Sequence, residues 1–187
     1  MKLKEKLIYN ELVSYILKLI LSLVYDKKFL TGKYFDENRI GFWWAIRSLP
    51  YFISMRKQKV YWPVNHLSTI LGGDKIKFDI SSLNVFQNTG CYFQAFESIT
   101  IGKNCWIAKN VGIITANHDL KNPDLHSLGK EVIIGDKCWI GMNSVILPGV
   151  ILGENTIVGA GSIVTKSFEQ GHCVIAGNPA KIIKNIS

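Results

Sequence analysis

The chain is 187 residues long, 48% hydrophobic and only 19% charged. That balance supports one domain with a sizeable core plus an appendage, and it excludes a disordered chain. The formal net charge of +8 is uneven: residues 1–60 carry 12 Lys+Arg against 5 Asp+Glu, and residues 61–187 carry 10 against 9. The four cysteines, Cys91, Cys105, Cys138 and Cys173, show no CxxC spacing, which excludes a zinc ribbon and a thioredoxin-type motif.

Residues 3–25 predict a helix. Glu11, Ser14, Lys18 and Ser22 fall at helical spacing as a thin polar stripe, and the rest of the surface is Leu, Ile, Val and Tyr. Glu11 and Lys18 interrupt a stretch barely long enough to span a bilayer, and no small-residue cleavage site follows it. The expectation is a cytoplasmic protein with reduced thiols. Two readings of the helix stay open. It packs on the rest of the fold or on another subunit, or it lies in an anionic membrane interface with Lys2, Lys4, Lys6, Lys27 and Lys28 near the headgroups. The segment Gly41-Phe-Trp-Trp-Ala-Ile-Arg-Ser-Leu-Pro-Tyr-Phe-Ile53, followed by Arg56, Lys57 and Lys59, suits an interface anchor or a buried helical hairpin equally. Residues 1–60 are therefore read as one helical, basic and apolar segment.

From residue 61 the character changes. Ile76, Phe78 and Ile80 alternate, as expected for first, irregular coils. A rhythm of six then sets in at Ile101-Gly102-x-Asn104, Ile107-Ala108-x-Asn110 and Ile113. It breaks over 115–131, a polar stretch that must leave the regular structure, and resumes at Ile134, Ile140, Ile146, Leu152, Val158 and Val164. Three residues after each of these stand Lys137, Asn143, Gly149, Asn155, Gly161 and Ser167. A period of six fits neither a helix nor a plain strand; it fits a short strand plus a sharp corner. Asn and Gly tolerate the left-handed backbone that such a corner needs. Three such sides close one coil, so the chain reads as a parallel β-helix over 61–173 with a tail at 174–187. A β-sandwich with coincidental spacing is the competing reading. Handedness does not follow from the spacing.

The segments Ile134-Gly-Asp-Lys-Cys-Trp-Ile-Gly-Met-Asn-Ser-Val-Ile-Leu-Pro-Gly-Val150, Val158-Gly-Ala-Gly-Ser-Ile-Val-Thr-Lys166 and Ala176-Gly-Asn-Pro-Ala-Lys181 resemble the hexapeptide-repeat acetyltransferases. Within that family they are similar to the galactoside/maltose O-acetyltransferase type, which includes capsule and lipopolysaccharide O-acetyltransferases. The resemblance spans about residues 83–184. It implies a left-handed β-helix, a homotrimer, and acetyl-CoA bound between neighbouring helices without a metal.

The resemblance also assigns candidate residues. His118, where the excursion begins, falls at the family's catalytic histidine, and a hydroxyl attacking a thioester needs such a base. Asp119 or Asp124 is expected to hold the second imidazole nitrogen, with His66, His126 and His172 at surface or structural positions. Acetyl-CoA is expected at Met142, Ala160, Thr165, Lys166, Lys181 and Lys184: the small Ala160 admits a pantetheine arm, and the lysines meet phosphates. Met142 departs from the small polar residue common there in the family. Asn88 is the candidate for the acceptor hydroxyl, and Trp139 for His118, the pantetheine arm or a subunit contact. A backbone amide near Gly141 is the candidate donor to the thioester oxygen. Cys105 and Cys138 share one repeat slot and read as small core fillers, which favours direct transfer over an acyl-cysteine. A zinc carbonic anhydrase needs three convergent imidazoles, and His118 and His126 are eight apart in an irregular loop.

The expected function is acetyl-CoA-dependent O-acetylation of a sugar hydroxyl, on a surface polysaccharide or its precursor. Amino-sugar N-acetylation, serine O-acetylation and a non-catalytic trimeric scaffold are the alternatives. No motif supports nucleic acid.

Overall fold

The structure is a computed structural model, and it describes residues 8–186. Its geometry is set by corners. Asn104, Asn110, Lys137, Asn143 and Asn155 all have φ between +53° and +60°, and Gly149 and Gly161 have φ of +83° and +70°. Each stands three residues after an inward aliphatic. A left-handed residue at that step reverses the chain's course sharply, and Asn and Gly carry the smallest penalty for it.

The corners separate strands on three sides of a prism. Side A holds β1 (Thr69–Leu71), β3 (Tyr92–Gln94), β6 (Gly112–Ile114), β9 (Val145–Ile146) and β12 (Ile163–Val164). Side B holds β2 (Ile76–Phe78), β4 (Ile99–Ile101), β7 (Val132–Ile134) and β10 (Ile151–Leu152). Side C holds β5 (Trp106–Ile107), β8 (Trp139–Ile140), β11 (Thr156–Val158), β13 (Cys173–Gly177) and β14 (Ala180–Asn185). Pairing is parallel throughout except for the closing β13–β14 hairpin. In the regular coils Ile134 pairs with Leu152, Ile140 with Val158 and Ile146 with Val164, a register of three repeats per coil that puts like positions on like faces.

Two residues of each side point inward. The repeat aliphatics stack in columns, as in Ile101, Ile134 and Leu152 on side B, all buried. The residue two places earlier is also buried and alternates in size: Ile99, Val132 and Val150 on side B, Ser144 and Ser162 on side A, and Cys105, Cys138, Thr156 and Cys173 on side C. The cysteines donate their thiol protons inside the coils, Cys105 to Gly135 O at 3.1 Å and Cys138 to Gly153 O at 3.2 Å.

Both ends of a solenoid expose apolar interior and need caps. At the first coils an aromatic cluster fills the open end. Phe78 lies 5.0 Å from Phe29, 5.1 Å from Trp62 and 4.8 Å from Phe86, whose ring is 5.2 Å from Phe93 inside the coils. The N-terminal segment thus plugs the prism. It comprises α1 (Glu11–Leu21), α2 (Gly41–Ser48) and α3 (Phe52–Lys57), with a turn at Leu49–Tyr51 between the last two.

The helix expected over 3–25 is shorter than the sequence suggested. Asn10 caps it, accepting the Val13 N–H on its side chain at 3.2 Å. Residues before 8, including Lys2, Lys4 and Lys6, lie outside the described residues. The polar stripe is also not the outward face. Ser14 is buried and donates to Ile8 O at 2.6 Å, Lys18 pairs with Asp36 and Arg39 with Glu11, while leucines and isoleucines on the opposite side are exposed. Among the described residues no helix is long and apolar enough to cross a membrane.

The corner geometry predicts the outcome of substitutions at Asn104. Asn104→Gly should unfold at nearly the wild-type urea midpoint, whereas Asn104→Val, a β-branched residue at φ +53°, should cost about 1–2 kcal/mol.

Candidate active site

The excursion over 115–131 leaves the prism where side A turns to side B. Ile101 pairs with Ile134, nearly twice as far along the chain as one regular coil would bring it, so the loop is extra chain inserted at that corner. Its base is anchored on the coil below. Thr115 Oγ1 donates to Gln94 O at 2.8 Å and accepts the Glu97 N–H at 2.9 Å, and Ala116 N–H donates to Gln94 Oε1 at 3.3 Å. Lys130 N–H closes the base by donating to Thr115 O at 2.8 Å.

Beyond the base the loop is a small hairpin. His118 and His126 form an antiparallel bridge, flanked by Ser127 N–H to Asn117 O and Asp119 N–H to Leu125 O, both at 2.9 Å. The two imidazoles stack at 4.7 Å, and Phe96 meets His126 edge-on at 5.3 Å. His118 Nδ1 lies 2.6 Å from Pro123 O. A carbonyl can only accept, so Nδ1 is the donor, and in the neutral form this tautomer leaves the lone pair on Nε2.

The orienting group is therefore a backbone carbonyl and not the carboxylate expected from the sequence. Asp119 instead accepts the N–H groups of Lys121 and Asn122 at 2.8 and 2.9 Å, and these bonds lower its carboxyl below the usual range. Neither Pro123 O nor the partnership of His126 was visible in the sequence. The one signal was the spacing of His118 and His126, which suits opposite positions on a short hairpin.

The other candidates separate into two groups. Met142 and Ala160 sit at the corner where side C turns to side A, one coil apart, joined by Gly161 N–H donating to Met142 O at 2.8 Å. Gly141 and Gly159 make this corner tight: a Cβ on Gly141 would fall 2.6 Å from Ala160 N, and one on Gly159 would fall 2.9 Å from Ala176 Cβ. Lys181 continues the column, paired opposite Ala176. Asn88 belongs to it lower down, at the coil position equivalent to Ala108, and its side chain braces the coil by donating to Ile107 O at 2.6 Å. Thr165 and Lys166 instead lie at the corner from side A to side B, above the His118 loop. Lys184 is mid-strand on side C, opposite Val174, and Trp139 is exposed on the outer face of side C between Trp106 and Ile157.

The two groups thus occupy opposite edges of side A, and Trp139 is on a different face from His118. The Gly141 amide is already spent, donating to Val158 O at 2.8 Å, so it is not a free donor.

Burial pushes the Cys91 and Cys105 thiols up and the Cys138 thiol up to about 12, so these sulfurs stay protonated and are poor nucleophiles. Among the described residues no group of three or more His, Cys, Asp and Glu is placed to hold a metal ion.

Comparison with known proteins adds the family. The model for bacterial transferase hexapeptide (six repeats) matches residues 131–166. That stretch carries the hexapeptide repeat. The chain's solenoid is the left-handed parallel β-helix of that repeat. A protein of Dictyostelium discoideum, named as a candidate acetyltransferase, is 47% identical over 106 residues, which are 55% of this chain and 55% of that protein. The chain therefore spans about half the length of the curated relatives it matches. The solved maltose O-acetyltransferase from Clostridium difficile 630 matches at 27% identity and a TM-score of 0.50, over 98% of this chain and 89% of that one. A galactoside acetyltransferase in complex with coenzyme A shares the fold at 22% identity and a TM-score of 0.60, over 100% of this chain and 86% of that one.

The hairpin gives a pH-dependent prediction. Asp119 has a depressed pKa in the fold, so its ordering of the hexapeptide loop is present at neutral pH and is lost as pH falls below about 4. Hydrogen-exchange protection of the Lys121 and Asn122 amides should fall in that range, and should already be lost at neutral pH in Asp119→Ala.

Proposed function

We propose that the protein transfers an acetyl group from acetyl-CoA to a sugar hydroxyl by direct attack, with His118 as general base. The observation that carries this reading is the His118 Nδ1 to Pro123 O bond, which selects the tautomer whose neutral form has its lone pair on Nε2. Nε2 takes the acceptor hydroxyl proton as that oxygen bonds to the thioester carbon. The carbon–sulfur bond then breaks, and the imidazolium returns the proton to the sulfur. The high thiol pKa values support a single transfer with no acyl-cysteine.

The donor fits the two edges of side A. The Met142–Ala160 corner is lined by tightly stacked glycines, which suits a pantetheine arm alongside backbone and the exposed Met142 side chain. Thr165 and Lys166 at the opposite edge, with Lys181 and Lys184 on β14, supply hydroxyl and ammonium groups suited to the phosphates. One chain holds these groups apart. A closed ring of three copies, each setting its C-to-A corner against the A-to-B corner of the next, unites them. It also covers Leu120, Leu125 and Leu128 of the loop, which are exposed in the single chain. In that ring Asn88 of one chain meets the acceptor near His118 of its neighbour, and Trp139 serves as a subunit contact.

Similarity to the maltose O-acetyltransferase supports a sugar hydroxyl as acceptor, and a surface polysaccharide or its precursor is the acceptor we propose. Four buried cysteines free of disulfides suit a cytoplasmic setting.

Acetyl transfer is measured with labelled acetyl-CoA and a panel of glycan acceptors, reading the label by mass spectrometry. His118→Ala should lower kcat by about 10²–10⁴-fold with an unchanged thermal melt, and Lys166→Ala should raise KM for acetyl-CoA with little change in kcat. Undiminished turnover by His118→Ala contradicts the assignment.

A further inference from the structure

Helix α1 is built inside out. A helix at a protein surface normally turns its polar stripe to water, yet Ser14 is 6% exposed and Leu23 is 78% exposed. Ser14, Leu17, Leu21 and Val24 face the protein. The opposite face, Leu12, Tyr15, Ile16, Leu19, Ile20 and Leu23, is apolar and open. The charges at its sides neutralise one another, Lys18 with Asp36 and Arg39 with Glu11.

The face continues past the helix. Arg56 Nη2 donates to Val24 O at 3.0 Å, which brings the end of α3 beside the end of α1. Ile53, one turn before Arg56, is 62% exposed. An exposed run of six large apolar side chains such as that of α1 and the turn after it marks an interaction surface.

Lys27 borders this face, exposed and with no carboxylate within salt-bridge reach among the described residues, whereas Lys28 and Lys57 border grooves against the first coils. A crevice of about 320 Å³ beside α1 is lined by Tyr15, Leu19 and Leu30 together with Lys18 and Lys27, an apolar hollow with ammonium groups attached. Residues 1–60 as a whole carry 12 basic against 5 acidic side chains.

We propose that this face of α1 and α3 lies in the interface of an anionic lipid bilayer, apolar side chains down and the lysines at the headgroups. An apolar helix face with a cationic rim is the chemistry of interfacial binding, and no described helix is long enough to insert across a membrane. A second copy set against the same face would bring the two cationic rims together, which like charges oppose. The site of acyl transfer is not involved, so the inference stands or falls apart from the proposed activity.

The test is flotation of the full-length chain with phosphatidylcholine vesicles and with vesicles containing phosphatidylglycerol, over a salt series. Binding to the anionic vesicles that weakens with salt is expected. Lys27→Gln should lower the affinity about fivefold, and the double variant Leu19→Gln/Leu23→Gln about tenfold or more. All three side chains are exposed, and an unchanged thermal melt confirms that the variants fold. Absence of binding to anionic vesicles at moderate salt overturns the proposal, as does full binding by the leucine double variant. Loss of oligomer mass in that variant without vesicle binding by the wild type assigns the face to a contact between copies, and overturns it equally.

Discussion

The rest of the structure depends on one backbone constraint, a left-handed residue at the third step after an inward aliphatic. At Asn104, Asn110, Lys137, Asn143 and Asn155, and at Gly149 and Gly161, the chain turns through a corner too tight for most L residues to adopt without strain. Once that turn recurs at a period of six, three short sides close a coil and like positions stack coil upon coil. Each residue's face and column are then set by its place in the count. The buried columns of side B, with Ile99, Val132 and Val150 beside Ile101, Ile134 and Leu152, follow from the count, as do the cysteines of side C.

The same constraint decides where chemistry can be added. Strands interrupted mid-side would lose their parallel ladder, so extra chain enters at a corner, here the one from side A to side B between Ile114 and Val132. There the loop folds back on itself as a hairpin, held by the His118–His126 bridge and by Asp119 capping its tip. The donor-binding candidates follow the corners too. Met142, Ala160 and Lys181 fall in one column and Thr165 and Lys166 in another, so the candidate residues of one chain lie at opposite edges of side A. In the proposed function a heterologous contact that closes as a ring brings the two sets together.

What the sequence made legible was whatever the count controls. The inward aliphatics, the corner residues and the bounds of the excursion were readable because a broken phase is conspicuous against a regular one. Three features were not. The first coils drift, since Ile76 pairs with Ile99, further along the chain than a regular coil would bring it, and an aromatic plug around Phe78 replaces the repeat. The orientation of α1 was not legible because hydrophobic periodicity locates a polar stripe but does not say whether that stripe or the apolar face meets the protein; Ser14 is turned inward, donating to Ile8 O and accepting from Arg39. The group that holds His118 is a main-chain carbonyl, and no side-chain pattern encodes Pro123 O. Adjacency favoured Asp119, whose carboxylate was better used by the nearby amides of the turn.

The central claim is that one site is completed by two chains. Subunit mixing tests it most directly. His118→Ala removes the base at one edge, and Ala160→Trp fills the corner at the other, so each variant alone should be inactive as a homo-oligomer. After the two are unfolded and refolded together in equal amounts, about a quarter of the contacts in a ring should pair an intact edge with an intact corner. Acetyl transfer should therefore return to about a quarter of the wild-type rate. No recovery from a mixture shown by mass spectrometry to contain hetero-oligomers would contradict the account.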